Sequence, residues 1–403
     1  MGKRADREQI KVDLLGKENE MQNFRNSALE SHALFHDPAY LNMKPFSDKN
    51  GFVGPRHYFE QPGVTVEENG DVTFCFYAPQ GKTMEVAGLG GCAMTNQRYP
   101  MVKGEDGYFR VRVSGIPEGF HYHEYFLDGV SVLNPLAPIG YGCHRAINFF
   151  ETGEKDGDFY CMKDVPHGTV RMEYFQSTTT GRTRNCYVYT PPGMKEDGSK
   201  KYPVLYLQHG GGEDETGWIW QGKANLIVDN MIAEGKCQEI IIVMNCLYCL
   251  KEGDQEEFLA GDFDSMLLND CIPFIESKYP VDNEKRGMAG LSMGSYQTTM
   301  TTLAHLGMFP YIGIFSGTIE KRWYCKLDYE KAFEDANEFR EKVRLFFFGY
   351  GRGEERIVRG LKPQFERFDA AGIPYTEYTC EGYHEWTVWR KCLREFLMLM
   401  TQN

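Results

Sequence analysis

Glu284-Lys-Arg-Gly-Met-Ala-Gly290-Leu-Ser292-Met-Gly294 is the stretch on which the reading turns. It passes from polar to apolar residues and then sets a serine between two glycines. A short buried strand that turns sharply into a helix beginning near Met293 accounts for that order. The turn is tight, so the residue at its tip is strained and a side chain two positions away on either side would collide with the neighbouring strand or helix. Such an elbow lifts a serine oxygen out of the sheet edge and aims the next backbone N–H at a developing oxyanion. Ser292 is the candidate nucleophile, and Met293 supplies one candidate N–H.

Around the elbow, continuous apolar runs (Val204–Leu207, Ile240–Met244, Ile312–Phe315, Leu345–Phe348) alternate with helical stretches near 224–234, 263–278, 293–306, 355–371 and 386–400. Apolar strands separated by helices predict an α/β fold with a mostly parallel sheet covered on both faces. In open sheets of this kind, chemistry sits beyond the carboxyl ends of the strands. The remaining candidates fall at such ends.

His209-Gly-Gly-Gly212 follows the first of these runs. Glycines let backbone N–H groups face a cleft without side-chain obstruction, so Gly211 is the second candidate oxyanion donor; the plainer reading is a glycine-rich turn. Of the histidines, only His305 and His384 lie downstream of Ser292. His305 falls inside the helix after the elbow and reads as structural. His384 lies between the strand-like Tyr375–Thr379 and the last helix, where a loop can carry it over the serine as a general base. An acid to orient the imidazole belongs in the loop after a late strand, where Gly349-Tyr-Gly-Arg-Gly-Glu354-Glu355 offers no aspartate. Glutamate can do this work if its longer chain is held back. Glu354 is chosen over Glu355; the competing reading makes both solvated charges at a helix N-terminus.

The 403 residues suffice for two domains. A formal net charge of −13 and scattered basic residues argue against a nucleic-acid partner. No stretch approaches the length of a membrane helix. The N-terminus has basic residues but no apolar run behind them, and 12 cysteines stand at irregular intervals. Both fit reduced thiols in a cytoplasmic setting, although a secreted chain trimmed of its signal reads the same way. Cys246-Leu-Tyr-Cys249 lacks the second pair or nearby histidines that zinc requires and reads as coincidence.

The expected organisation has four parts. Residues 1–62 form an N-terminal arm with a helical stretch from Lys17 to Phe35. Residues 63–152 have period-two runs such as Val72–Tyr77 and Tyr108–Val113, separated by Asn69-Gly70, Asp106-Gly107 and Asp128-Gly129, and predict a small all-β, Ig-like sandwich. A linker at 153–164 leads to the catalytic domain at 165–403. The sandwich loop Asn134–Gly142 is expected to reach over the cleft and shape it.

Taken together, Tyr202–Gly212, Gly217–Ala224, Asp229–Lys236, Ile272–Tyr279, Ala289–Gly294, Phe315-Ser-Gly317 and His384-Glu-Trp386 with Trp389 resemble carbohydrate esterase family 1. That family includes feruloyl and acetylxylan esterases and enterochelin-esterase-like relatives. The resemblance spans about 165 to 400 and implies the α/β-hydrolase fold, while the sandwich is similar to E-set or CBM48-like modules. It implies a serine carboxylic-ester hydrolase with Ser292 as nucleophile, His384 as base, and Gly211 and Met293 as oxyanion donors. It also implies an acylated plant polysaccharide or oligosaccharide as substrate and no metal or organic cofactor. The family's acid is usually aspartate, at a place that aligns best with Glu354.

Aromatic faces suit sugar rings and hydroxycinnamoyl groups. Trp218 and Trp386 are therefore expected to line the cleft, the plainer reading being that both fill the core. A siderophore-lactone esterase is the near alternative. A carbohydrate-binding protein on a decayed esterase scaffold is the distant one.

Overall fold

The computed structural model describes residues 62–89, 97–251, 261–319 and 327–402. All but the last residue of the expected N-terminal arm, including the Lys17–Phe35 stretch, lies outside the described residues. Two compact units are present. One comprises the described residues up to Ile139 together with Ile147–Met162; the other comprises Gly140–Ala146 and the described residues from Lys163 onward.

The first unit is built from short strands joined by tight turns. The strands up to Thr152 are β1 (Val64–Val66), β2 (Val72–Tyr77), β3 (Met84–Ala87), β4 (Arg98–Pro100), β5 (Val102–Lys103), β6 (Tyr108–Val113), β7 (Gly119–Leu127), β8 (Val130–Val132), β9 (Ile139–Gly142) and β10 (Arg145–Thr152), of which Gly140–Gly142 of β9 and Arg145–Ala146 of β10 belong to the second unit. One sheet has the order β1-β2-β6-β5, and the other β4-β3-β7-β10-β9 with β8 beside β7. Asp128 (φ 48°) and Gly129 (φ 83°) form the two-residue turn between β7 and β8, a backbone that an Asp-Gly pair tolerates well. Phe74, Phe76 and Phe109 from one sheet meet Met84, Val86, Tyr125 and Phe150 from the other in a common core, so the sheets form a sandwich.

The second unit is a mostly parallel sheet flanked by helices. Its sheet contains β11 (Thr169–Ser177), β12 (Arg182–Thr190), β13 (Tyr202–Gln208), β14 (Ile241–Asn245), β15 (Val281–Leu291), β16 (Tyr311–Phe315), β17 (Leu345–Gly351) and β18 (Thr376–Cys380). The order is β11-β12-β14-β13-β15-β16-β17-β18. Strands β11 and β12 pair antiparallel, and β12 pairs antiparallel with β14. From β14 to β18 every pairing is parallel. Strands β13, β14, β16 and β17 are buried along their whole length, which is why they read as unbroken apolar runs.

Helices cover both faces. Phe346 and Phe348 pack with Met300 and Leu303 of helix Met293–Ala304 and with Leu361 and Phe368 of helix Glu355–Ala371. Phe347, pointing the other way, meets Phe396 of helix Trp386–Gln402 edge-on. The helical stretch expected at 263–278 is interrupted: Phe263–Ser265 and Ile272–Lys278 flank a wider π-type turn at Met266–Cys271.

Candidate active site

The elbow follows from contacts that only glycine permits. A Cβ on Gly290 would lie 2.5 Å from the carbonyl carbon and oxygen of Gly294, and one on Gly294 would lie 2.3 Å from the His209 carbonyl oxygen. Both clashes are with backbone, so no rotamer relieves them. Between the glycines, Ser292 has φ 51° and ψ −115°, a region that costs a non-glycine residue about 1–3 kcal/mol. The turn is secured by Ser292 N–H donating to Phe315 O at 2.9 Å, and by the Ser295 hydroxyl donating to Ser292 O at 2.6 Å.

Three sequence-derived candidates converge here. His384 Nε2 lies 2.8 Å from Ser292 Oγ, and its Nδ1 lies 2.7 Å from Glu354 Oε1. Glu354 is buried while Glu355 is exposed at the head of the helix, so the structure separates the two glutamates. The other Glu354 oxygen, Oε2, accepts from Gly351 N–H at 2.7 Å and from the Ser316 hydroxyl at 2.8 Å. Behind Ser316, the Trp389 indole N–H donates to its Oγ at 2.9 Å. Trp389 also stands edge-on to the His384 ring, 5.1 Å between centroids.

The loops carrying the acid and the histidine are joined through their backbones. Arg352 N–H donates to Cys380 O at 2.8 Å, and Gly353 N–H donates to Gly382 O at 2.9 Å. Parallel pairing of β17 with β18 brings these loops side by side. The pair is therefore set by sheet register as well as by side-chain contact.

The glycine run packs directly against the elbow. Position 210 is confined, because a Cβ there would lie 2.5 Å from Leu291 Cδ1 and 3.4 Å from Ser292 Cβ. Gly211 is exposed and faces open space. Met293 is the first residue of its helix, which leaves its N–H without an intrahelical acceptor. His209 braces the run from within. Its Nε2 accepts from Leu247 N–H at 3.0 Å, so its proton sits on Nδ1, 2.8 Å from Gly210 O. Burial lowers this imidazole to about 4, so it stays neutral near pH 7.

Gly212 donates its N–H to the Tyr248 hydroxyl at 2.8 Å and accepts from His144 N–H at 2.9 Å. Gln221 Nε2 donates to Tyr141 O at 2.6 Å. Segment Gly140–Ala146 thus packs on the glycine run as part of the same compact unit.

The structure corrects the expectation for the tryptophans. Trp218 and Trp386 are 1% and 2% exposed, which leaves no ring face for a substrate. They pack edge-to-face 5.3 Å apart, and the Trp218 indole N–H donates to Gln208 O at 2.9 Å. Large apolar groups fill the space where the C-terminal helix meets the short helix Gly217–Trp220, and these rings are that filling. His305 ends its helix with Nε2 3.1 Å from Asp264 Oδ2, away from the serine relay. Among the described residues, no group of three or more His, Cys, Asp or Glu side chains is arranged to hold a metal ion.

Sequence reasoning missed the support around the acid: Ser316, Gly351 and the indole N–H of Trp389. Phe315-Ser316-Gly317 ends a strand, which marks it as a loop at the right edge. Its backbone conformation has no sequence signal of its own.

Comparison with known proteins agrees with this architecture. The Esterase family model matches residues 177–345. An endo-1,4-beta-xylanase/feruloyl esterase of Xylanibacter ruminicola is 34% identical over 371 residues, covering 89% of this chain and 48% of the relative. The chain therefore spans about half the length of that curated relative. A carbohydrate esterase family 1 ferulic acid esterase from Anaeromyces mucronatus, solved in complex with ferulic acid, is similar with a TM-score of 0.50 at 20% identity, covering 60% of this chain and 94% of that one. The enterobactin esterase of Shigella flexneri gives a TM-score of 0.59 at 15% identity, covering 85% of this chain and 97% of that one. At such identities the two solved structures establish a shared fold.

Proposed function

We propose that the chain is a carboxylic-ester hydrolase of the carbohydrate esterase family 1 type, which removes feruloyl or acetyl groups from xylan-type poly- or oligosaccharides through an acyl-enzyme on Ser292. The observation that carries the mechanism is the relay Ser292 Oγ–His384–Glu354, with hydrogen-bond distances of 2.8 and 2.7 Å.

In this reading Ser292 Oγ attacks the ester carbonyl while its proton passes to His384 Nε2. Glu354 holds the Nδ1–H tautomer and stabilises the imidazolium as it forms. The N–H groups of Gly211 and Met293 take the negative charge that develops on the carbonyl oxygen. Removing one such donor elsewhere lowers kcat by about 10²–10³-fold. As the tetrahedral intermediate collapses, the sugar oxygen leaves with the proton from Nε2. Water, deprotonated by the same nitrogen, then releases the acid and regenerates the serine.

The relative's printed activity, xylanase and feruloyl esterase together, supports a feruloylated xylan fragment over other esters. A glutamate held by three donors, namely Gly351 N–H, Ser316 Oγ–H and His384 Nδ1–H, removes the motive for a decayed, purely binding scaffold. Side-by-side kinetics on methyl ferulate, acetylated xylo-oligosaccharides and enterobactin test the substrate class. Turnover of a xylan-type ester at a kcat/KM at least ~10-fold above that for the siderophore lactone is the expected result. The reverse preference would overturn the xylan assignment.

A further inference from the structure

Ser316 has no part in the relay as described, yet it is held in an unusual state beside it. Its φ is 51°, in the left-handed region that a serine rarely occupies. The next residue is a glycine, and a Cβ there would lie 1.8 Å from Ser295 Oγ and 2.8 Å from Ser295 Cβ, so a side chain would displace the elbow helix's Ser295. The chain therefore turns tightly past the elbow helix, and the backbone at Ser316 is anchored by its N–H donating to Gly349 O at 2.8 Å. Strained residues of this kind persist where the surroundings over-determine them.

The hydrogen-bond roles around Ser316 can be assigned without ambiguity. An indole N–H only donates, so Ser316 Oγ accepts from Trp389, and the hydroxyl proton is available to Glu354 Oε2. Gly351 N–H loads the same oxygen. Oε2 then has two donors and Oε1 faces His384 Nδ1. A glutamate has one more rotatable bond than the aspartate usual in its place, and this bracket removes that freedom.

We infer that Ser316 is a positioning residue, whose hydroxyl, aimed by Trp389, fixes the Glu354 carboxylate so that Oε1 stays on His384 Nδ1. The inference rests on the Ser292–His384–Glu354 reading above. Its consequence is energetic coupling: Ser316 matters to turnover only while Glu354 is present.

The test is a double-mutant cycle on the full chain with p-nitrophenyl acetate, using wild type, Ser316→Ala, Glu354→Ala and the double variant. Ser316→Gly serves as a second single variant, since glycine accepts the left-handed backbone without strain. Both Ser316 variants should lower kcat ~10-fold or more with KM within ~2-fold. In the Glu354→Ala background, the Ser316 change should alter kcat by less than ~2-fold. The downfield proton resonance of His384 Nδ1–H should shift or broaden in Ser316→Ala. A wild-type kcat in both Ser316 variants overturns the inference, and so does an equal loss with and without Glu354, which marks Ser316 as packing alone. If Glu354→Ala itself retained wild-type kcat, the relay reading would fail and this inference with it.

Discussion

Glu354 shows how much a single position can depend on its surroundings. Its neighbour Glu355 has the same chemistry, but one side chain is buried against His384 and the other is exposed. Sequence placed a carboxylate in this loop and favoured Glu354 without a signal that separates it from Glu355. That choice depends on where β17 ends and the next helix begins, and residue types alone do not encode a boundary to one position. Ser292 and His384 were legible because order along the chain and position at strand ends constrain them. The tryptophans misled for a physical reason: a ring that can stack on sugar is equally good core filling. Glu354→Gln should lower kcat by about 10⁴-fold, the size of the loss when a serine protease's triad acid is replaced by its amide. Glu355→Gln should stay within ~2-fold of wild type, as surface changes usually do. Steady-state kinetics of the two variants check this, and a reversed ranking would move the acid to Glu355.

At the scale of elements, the elbow and the glycine run are positioned against each other by close backbone approach. A methyl group at Gly294 must displace the His209 carbonyl, whereas one at Gly211 meets open space. Gly294→Ala should therefore cost about 1–3 kcal/mol of stability, the usual range for overpacking, and lower activity by disturbing both loops. Gly211→Ala should melt within a degree or two of wild type, reflecting a change within about 0.5 kcal/mol. Thermal melts of both distinguish the two environments; equal losses would contradict the contacts. The parallel strands and the helices after them were legible because their apolar runs are continuous. Strands β11 and β12 were not read; β11 is an edge strand with four of its nine residues exposed, so its apolar signal is diluted. Helix Ala336–Lys342, seven residues long and mostly polar, was missed on the same ground.

The whole molecule combines a hydrolase unit with a sandwich whose core contains two histidines. His121 and His123 are both buried on β7. His123 lies among the rings of Phe74, Tyr125 and Phe150, and neither of its ring nitrogens has a hydrogen-bond partner among the described residues. Burial lowers His121 to about 4 and His123 to about 3. A lowered value in the folded state means that the unfolded chain binds protons first as pH falls. The stabilisation is complete above about 6.5, the ordinary histidine value, and is lost progressively below it until each folded-state value is reached. At pH 4.5 each histidine should have cost about 2–3 kcal/mol by this linkage. His123→Phe should lower the pH of acid unfolding of the sandwich while leaving stability at pH 7 equal or higher. Circular dichroism during acid titration checks this, and an unmoved midpoint would contradict it. Sequence gave both units their class through the switch from period-two runs to continuous apolar strands. It could not show that Gly140–Ala146 packs with the hydrolase unit, because that assignment is made by contacts such as His144 N–H to Gly212 O rather than by composition.

The central claim is that Ser292, activated by His384 and Glu354, carries the acyl group during turnover. Acid-quenching the enzyme during steady-state hydrolysis of a feruloylated xylo-oligosaccharide, then mapping the modified peptide by mass spectrometry, tests it directly. The account predicts a feruloyl group on Ser292 in the wild type, and neither modification nor turnover in Ser292→Ala. Sustained turnover by Ser292→Ala, or an acyl group mapped to another residue, would contradict it.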